Sequence, residues 1–462
     1  MKKRLNLFVR LASVITLIAM LLAPAVALAF TPTINEFSVP FGTGAEPFHI
    51  AAGPDGNMWF TEQIGNNIGK ITPNGTITEY SVPTGGAQPG SIAAGPDGNM
   101  WFTEFSGGHV GKITPSGTVT EYNLPSGGKE TGGIAAGPDG NMWISLINSN
   151  TIDKVSMSGS ITQNTVASGG DLQYVAAGPD GNMWFTEQGN NKIGKMSTSG
   201  TVLAEYTVPT SSSEPQDIVS GPDGNMWFTE FGGDKIGKVT TSGTFTEYAV
   251  PTPSAVPWGI TVGPDNMLWF GEQNANKVGR VSTSGTITEY TVPTSNSFPT
   301  GIATGADGNM WFTEINKDKI GQLILPVKPS LPGTKSATAV SGKSTVIDVT
   351  TGVSGNPDPS SVTIVSGPSH GTAVDPPGTI TYTPNAGYTG SDSLTYQVCS
   401  LDDAGICTQA VLGLSVVADP VAPTTGFGIN NSISTPQILA IFSLASGTLF
   451  ALAFSMRKKL NH

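Results

Sequence analysis

Six glutamates recur at one position of a repeated phrase: Glu62, Glu104, Glu187, Glu230, Glu272 and Glu314. Carboxylates set in a ring could hold a cation, and Glu314 and Glu272 are the candidate ligands. The opposing argument is stronger. A residue present in nearly every unit builds the unit, here by bonding a loop backbone, and one unit reads Trp143-Ile144-Ser145-Leu146 instead. The Asp-Gly turns lack the Asp-x-Asp-Gly of calcium loops and also read as structural. His109 stands where other units carry Lys192, Lys235, Lys277 and Lys319, and reads as an exposed repeat residue. What is not repeated says more about chemistry. Seven of the eight tryptophans belong to the repeat; Trp258 does not. It shares its place, in the loop entering each unit, with Phe48, Gly90, Gly132, Gln173, Gln216 and Thr300, and Tyr174 lies beside them. Aromatic and amide side chains on one face suit recognition of a sugar, a peptide or an amphipathic small molecule. The alternative is that Trp258 packs against a neighbouring loop.

These residues must be positioned by the repeat itself. Gly-Pro-Asp-Gly-Asn-Met-Trp-Phe-Thr-Glu begins at Gly53, Gly95, Gly137, Gly178, Gly221, Gly263 and Gly305, at spacings of 41 to 43 residues. A period near 40–45 with several short strands per unit marks a β-propeller. In the second unit, Ser91–Ala94 reads as the innermost strand and Met100–Thr103, rich in aromatic and β-branched residues, as the second. Val110–Thr114 and Thr118–Leu124 read as the third and fourth. Pro-Asp-Gly and Pro-Ser-Gly supply the turns. The last unit stops at Leu323 without a fourth strand, while Ile34–Pro40 matches Ile287–Pro293 in pattern. An N-terminal strand that completes the last blade would close a seven-bladed ring and bury its edges.

The phrase, followed by Ile-Gly-Lys-Ile-Thr and Thr-Glu-Tyr-x-Val-Pro-Thr, resembles the streptogramin lyase family, the virginiamycin B lyases, from Ile34 to about Leu323. The resemblance implies a seven-bladed propeller that opens a cyclic depsipeptide antibiotic by magnesium-assisted elimination. Carried over residue by residue, it puts the family's chemical groups on poor substitutes. A family histidine falls on Trp258, the metal carboxylate and general base on Phe298 and Thr300, a second metal carboxylate on Ile315, and a substrate-lining tyrosine on Phe48. None of these side chains can hold magnesium or take a proton near neutral pH. Glu46-Pro47-Phe48-His49 offers a carboxylate and an imidazole for a relocated site, and Glu214-Pro215-Gln216 a carboxylate without a base.

Residues 1–29 read as a secretory signal: Lys2, Lys3, Arg4 and Arg10, an apolar run, then Ala27-Leu28-Ala29. Residues 438–456 form a second apolar stretch before Arg457-Lys458-Lys459, long enough to span a bilayer with the basic tail inside. Ala422-Pro423-Thr424-Thr425-Gly426 resembles a sortase sorting signal with Ala in place of the first Leu. Either anchor displays the protein on a cell surface. The net charge is −12, and removing the signal makes it more negative, which disfavours nucleic acid as a partner.

Residues 30–325 are assigned to the propeller, 326–334 to a proline-rich linker, 335–417 to a second domain and 418–437 to a further linker. In the second domain Val362–Val365, Gly378–Tyr382 and Ser393–Tyr396 alternate like sandwich strands. Its Gly367–Ala373 and Thr381–Ser393 segments resemble bacterial Ig-like or cadherin-like repeats. Cys399 and Cys407, at hairpin spacing in an exported chain, suggest a disulfide. Calcium, known in cadherin-like relatives, would have only the scattered Asp358, Asp375, Asp392, Asp402 and Asp403. The chain thus reads as all-β: a propeller and a small Ig-like sandwich. Its expected role is to bind an extracellular glycan, peptide or small molecule without a cofactor. The alternatives are a carbon–oxygen lyase with a rearranged site, which would need Mg2+, and a structural adhesion protein.

Overall fold

The computed structural model describes residues 32–40, 44–125, 130–326, 329–331, 333–401 and 406–420. The 1–29 and 438–456 segments and the 422–426 motif lie outside them. Among the described residues no helix is long and apolar enough to cross a membrane.

Seven four-stranded antiparallel sheets make up the first unit. Blades 1 to 6 span 47–81, 89–123, 131–165, 172–207, 215–249 and 257–291. Blade 7 takes Pro299–Thr304, Met310–Glu314 and Lys319–Ile324 from one end of the chain and Thr33–Ser38 from the other. The closing strand runs antiparallel to Lys319–Ile324, with Thr33 opposite Ile324 and Ser38 opposite Lys319. The innermost strands neighbour one another in a complete circle, blade 7 meeting blade 1. The closing strand pairs the edge of Lys319–Ile324 that would otherwise be open.

The repeated residues hold each blade. Every repeat tryptophan is fully buried. Its indole N–H donates to the turn aspartate four residues earlier, as in Trp59 to Asp55 at 3.0 Å and Trp184 to Asp180 at 3.0 Å. In blades 1 to 6 a lysine, or Arg280 in blade 6, reaches from the third strand over the ring, with Lys70 Nζ 5.1 Å from the Trp59 centroid and 3.8 Å from Asp55. The turn glycine Gly56 sits at φ 77°, a conformation that a side chain would strain.

Where the repeat glutamates have hydrogen-bond partners, these are side chains rather than the loop backbone expected of them. All six are fully buried at the end of the second strand. Glu62 accepts the Asn67 amide at 3.0 Å, and Glu187 accepts the Ser168 hydroxyl at 2.9 Å. Burial pushes Glu62, Glu104, Glu230, Glu272 and Glu314 up to about 8. His109 differs from its expected role: it is part-buried and its Nδ1 meets Glu104 at 3.1 Å.

The second unit is a sandwich. One sheet orders Lys335–Val340, Cys407–Val417, Gly390–Cys399 and Thr363–Ser366, and the first pair is parallel. The other orders Thr345–Asp348, Thr379–Pro384 and Gly371–Val374. Ile347, Ile380, Tyr382, Leu394, Tyr396, Leu412 and Leu414 fill the core between them. Cys399 and Cys407 form a disulfide. Asp392 accepts the Ser369 and His370 backbone N–H groups and the Tyr382 hydroxyl, so this carboxylate ties loops together.

Candidate functional site at the channel mouth

One backbone device aims side chains at the propeller axis in every blade. The residue just before each inner strand is left-handed, although none is glycine: Glu46, Gln88, Glu130, Asp171, Glu214, Val256 and Phe298 lie at φ between 49° and 70°. β-Branched Val256 is the strained member. The register then slips by one residue. In blade 1, Pro47 pairs with Glu62 and Ile50 with Phe60, leaving Phe48 and His49 opposite Thr61 alone. Such a bulge re-aims the residues it contains. Two consecutive residues of blade 1 therefore both turn toward the axis.

The bulges are stitched from blade to blade. The Thr61 hydroxyl donates to the Gly90 carbonyl at 2.6 Å, Thr186 to Gln216 at 2.7 Å, Thr229 to Trp258 at 2.6 Å and Thr313 to Phe48 at 2.9 Å. Blade 6 carries Gly271 instead, where an added Cβ would lie 2.6 Å from the Pro299 carbonyl. There the neighbouring strand comes too close for a side chain.

Three rings from three blades meet at the mouth. Trp258 lies 6.0 Å from Phe48 with planes at 76°, and 5.3 Å from Phe231 with planes at 84°. All three are part-exposed. Sequence reasoning missed Phe231, which follows the Trp-Phe-Thr-Glu strand of blade 5. The non-repeating residue just after that strand was the available signal. Trp258 does pack on neighbouring groups, as its alternative reading held, but those groups are themselves aromatic and accessible.

Beside the rings lies a closed cycle of amides. Gln173 donates to Gln188 at 3.0 Å, Gln188 to Gln216 at 2.9 Å, and Gln216 back to Gln173 at 3.4 Å. Each amide keeps one further donor and acceptor. Gln188 was also missed. Three expected ligand-facing residues lie deeper than a contact surface requires. Thr300 is fully buried, donating to the Phe298 carbonyl at 2.9 Å and accepting from Gln273 at 3.1 Å. Gln216 and Tyr174 are buried as well, and form the floor.

Contacts at that floor reach across the axis. His49 of blade 1 stacks on Tyr174 of blade 4 at 5.9 Å. Asp217 of blade 5 accepts the Ile218 N–H at 2.8 Å and the Ile260 N–H of blade 6 at 2.9 Å. Burial raises Asp217 to about 7 against the pull of these two N–H groups. Burial, and then the nearby Asp217 charge, raises the Tyr174 phenol; its hydroxyl faces the Trp258 indole. Burial lowers His49 to about 4, so its imidazole is neutral. Its Nδ1 accepts the Ile92 N–H at 3.4 Å, which leaves the proton on Nε2. Neither nitrogen is then a free base. Glu46, three residues earlier, uses its backbone to hold the loop: its N–H donates to Asp318 and its carbonyl accepts from Gln63.

The magnesium implied by the resemblance does not fit these residues. Phe298 and Ile315 stand where its carboxylates would be, and the Ile315 N–H is spent on the Phe298 carbonyl. Among the described residues no group of three His, Cys, Asp or Glu side chains is placed to hold a metal. Glu272 and Glu314 are sealed within their blades.

A closed ring of bulged blades with a composite mouth defines a β-propeller. The virginiamycin B lyase family model matches residues 27–169 and 126–327, and the chain belongs to that family. A bacterial Ig domain model matches residues 328–414. A streptogramin B lyase structure is 37% identical, covers 64% of this chain and 98% of its own, and superposes with a TM-score of 0.61. The virginiamycin B lyase from Staphylococcus aureus is 36% identical over 64% of this chain and 99% of its own, also at 0.61. A catalytically inactive form of that enzyme with quinupristin matches equally well. Among curated proteins none matches significantly.

Proposed function

We propose that the propeller is a non-catalytic binding module, carried by an exported, surface-anchored chain, with its site at the channel mouth. One observation carries this reading: Phe48, Trp258 and Phe231 form an accessible aromatic cluster, with Trp258 where the family resemblance puts a histidine and Phe48 where it puts a substrate-lining tyrosine. The amide cycle beside it supplies oriented polar contacts. A small apolar centre with a few convergent polar groups is the usual make-up of a ligand site. The ligand is an extracellular glycan, peptide or small molecule, and the Ig-like module acts as a spacer toward the envelope. The test is a glycan and peptide array probed with the full chain. Retention of a ligand that Trp258→Ala abolishes, at unchanged melting temperature, supports the reading. An empty array favours a structural adhesion protein.

The second reading is a carbon–oxygen lyase with a relocated site. The identity to streptogramin B lyase favours it. Glu46 and His49 would be its acid–base groups, and the neutral, hydrogen-bonded state of His49 argues against it.

A further inference from the structure

We propose that the ligand of the channel mouth carries a cationic nitrogen, an alkylammonium group seated against Trp258; this rests on reading the mouth as a binding site. The ring geometry is the first argument. Phe48 and Phe231 each stand nearly perpendicular to Trp258, at 76° and 84°. The three side chains come from blades 1, 5 and 6, so the corner they form exists only in the closed ring. A ring face is electronegative, and a cation within about 6 Å of the centroid is attracted, most strongly by tryptophan.

Charge is the second argument. Glu214 precedes the inner strand of blade 5 in the left-handed conformation, φ 49°. Its side chain lies over the turn after Phe231: a Cβ added at Gly232 would fall 3.0 Å from the Glu214 Cδ. Among the described residues no ion pair engages this carboxylate. It is therefore a carboxylate beside the turn that carries Phe231, without an ion-pair partner among the described residues. Of the seven residues that enter the inner strands, Glu46, Glu130, Asp171 and Glu214 are acidic and none is basic. In the described turns after the second strands, Lys317 of blade 7 is the single basic side chain. A neutral sugar could offer Glu214 only hydroxyl hydrogen bonds and an uncharged aromatic none, whereas an ammonium group gains charge attraction from rings and carboxylate together.

The probe is choline, compared by calorimetry with its uncharged carbon isostere, dimethylbutanol, on the full chain. Choline should bind about tenfold or more tightly than the isostere. Glu214→Gln should weaken choline several-fold and leave the isostere unchanged. Trp258→Leu should abolish choline binding, with thermal melting showing that the variant is folded. Intrinsic fluorescence gives an independent readout, because the seven repeat tryptophans are fully buried and choline can reach Trp258 alone. Equal affinity for both probes, no choline binding, or an unaffected Glu214→Gln variant each overturns the cationic assignment. An array ligand that still needs Trp258 would then keep the mouth as a binding site. Loss of both would remove the binding reading as well.

Discussion

The Glu36 carboxylate accepts both the backbone N–H and the hydroxyl of Thr294, at 2.8 and 2.6 Å, although the two residues lie 258 positions apart. Lys319 Nζ joins them, 3.0 Å from Glu36 and 2.7 Å from Thr294. The same Glu–Thr–Lys arrangement occurs within the continuous chain at Glu247, Thr210 and Lys235. The closing strand thus reproduces the ordinary interblade contact from the far end of the protein.

Removing that strand should therefore cost what a whole strand contributes. Deleting Phe30–Pro40 strips Phe37 from its stack on Trp311 and exposes the edge of Lys319–Ile324. The loss should be several kcal/mol, with aggregation through the open edge. An unchanged melting temperature would contradict the closure.

Catalysis should be absent. The full chain should leave streptogramin B intact with or without magnesium, because the required positions hold Phe298, Thr300 and Ile315. Product analysis by mass spectrometry decides it. Magnesium-dependent turnover that disappears in His49→Ala would instead establish the relocated site.

Stability should fall from mildly acid to mildly alkaline pH. Glu62, Glu104, Glu230, Glu272 and Glu314 titrate near 4.5 when exposed and at about 8 in the fold. Their contribution is complete below the lower value and drains away as pH rises toward the higher one, because the unfolded chain releases protons that the fold must keep. Melting at about pH 5 should exceed melting at about pH 8 by several degrees, and Glu104→Gln should flatten the dependence. A rise in stability across that window would count against these buried acids.

The Thr229 hydroxyl positions Trp258 through its carbonyl at 2.6 Å. Thr229→Val should cost about 1 kcal/mol of stability and weaken ligand binding more than binding-neutral variants of equal melting temperature. Equal affinity in Thr229→Val would separate the stitch from the site.

Surface display should be visible on intact cells as protease-accessible propeller that fractionates with the envelope. Mass spectrometry of the mature C-terminal peptide then separates the anchors. A terminus at Thr425 indicates sortase processing, and one at His462 a retained apolar segment.

The repeat was legible because each blade solves the same local problem with the same residues. Asp55 caps Trp59, Gly56 takes the left-handed turn and Lys70 covers the ring, all within one unit of chain. Period and strand count follow from such short-range needs, and the closing strand, Thr33–Ser38, was legible because Ile34–Pro40 repeats the pattern of Ile287–Pro293. The Cys399–Cys407 disulfide was legible for the same reason, since its ends lie eight positions apart. The mouth was only half legible. Non-repetition singled out Trp258 and Phe48, but Phe231, Gln188 and the exposure of each residue depend on contacts between distant blades. His109 was misjudged because its partner, Glu104, is found only by pairing strands. The bulge decided the rest: a one-residue slip aims both Phe48 and His49 inward, where plain alternation would send them to opposite faces. Local chemistry determined the blade, and ring closure alone brought His49 to Tyr174 and Phe48 to Trp258.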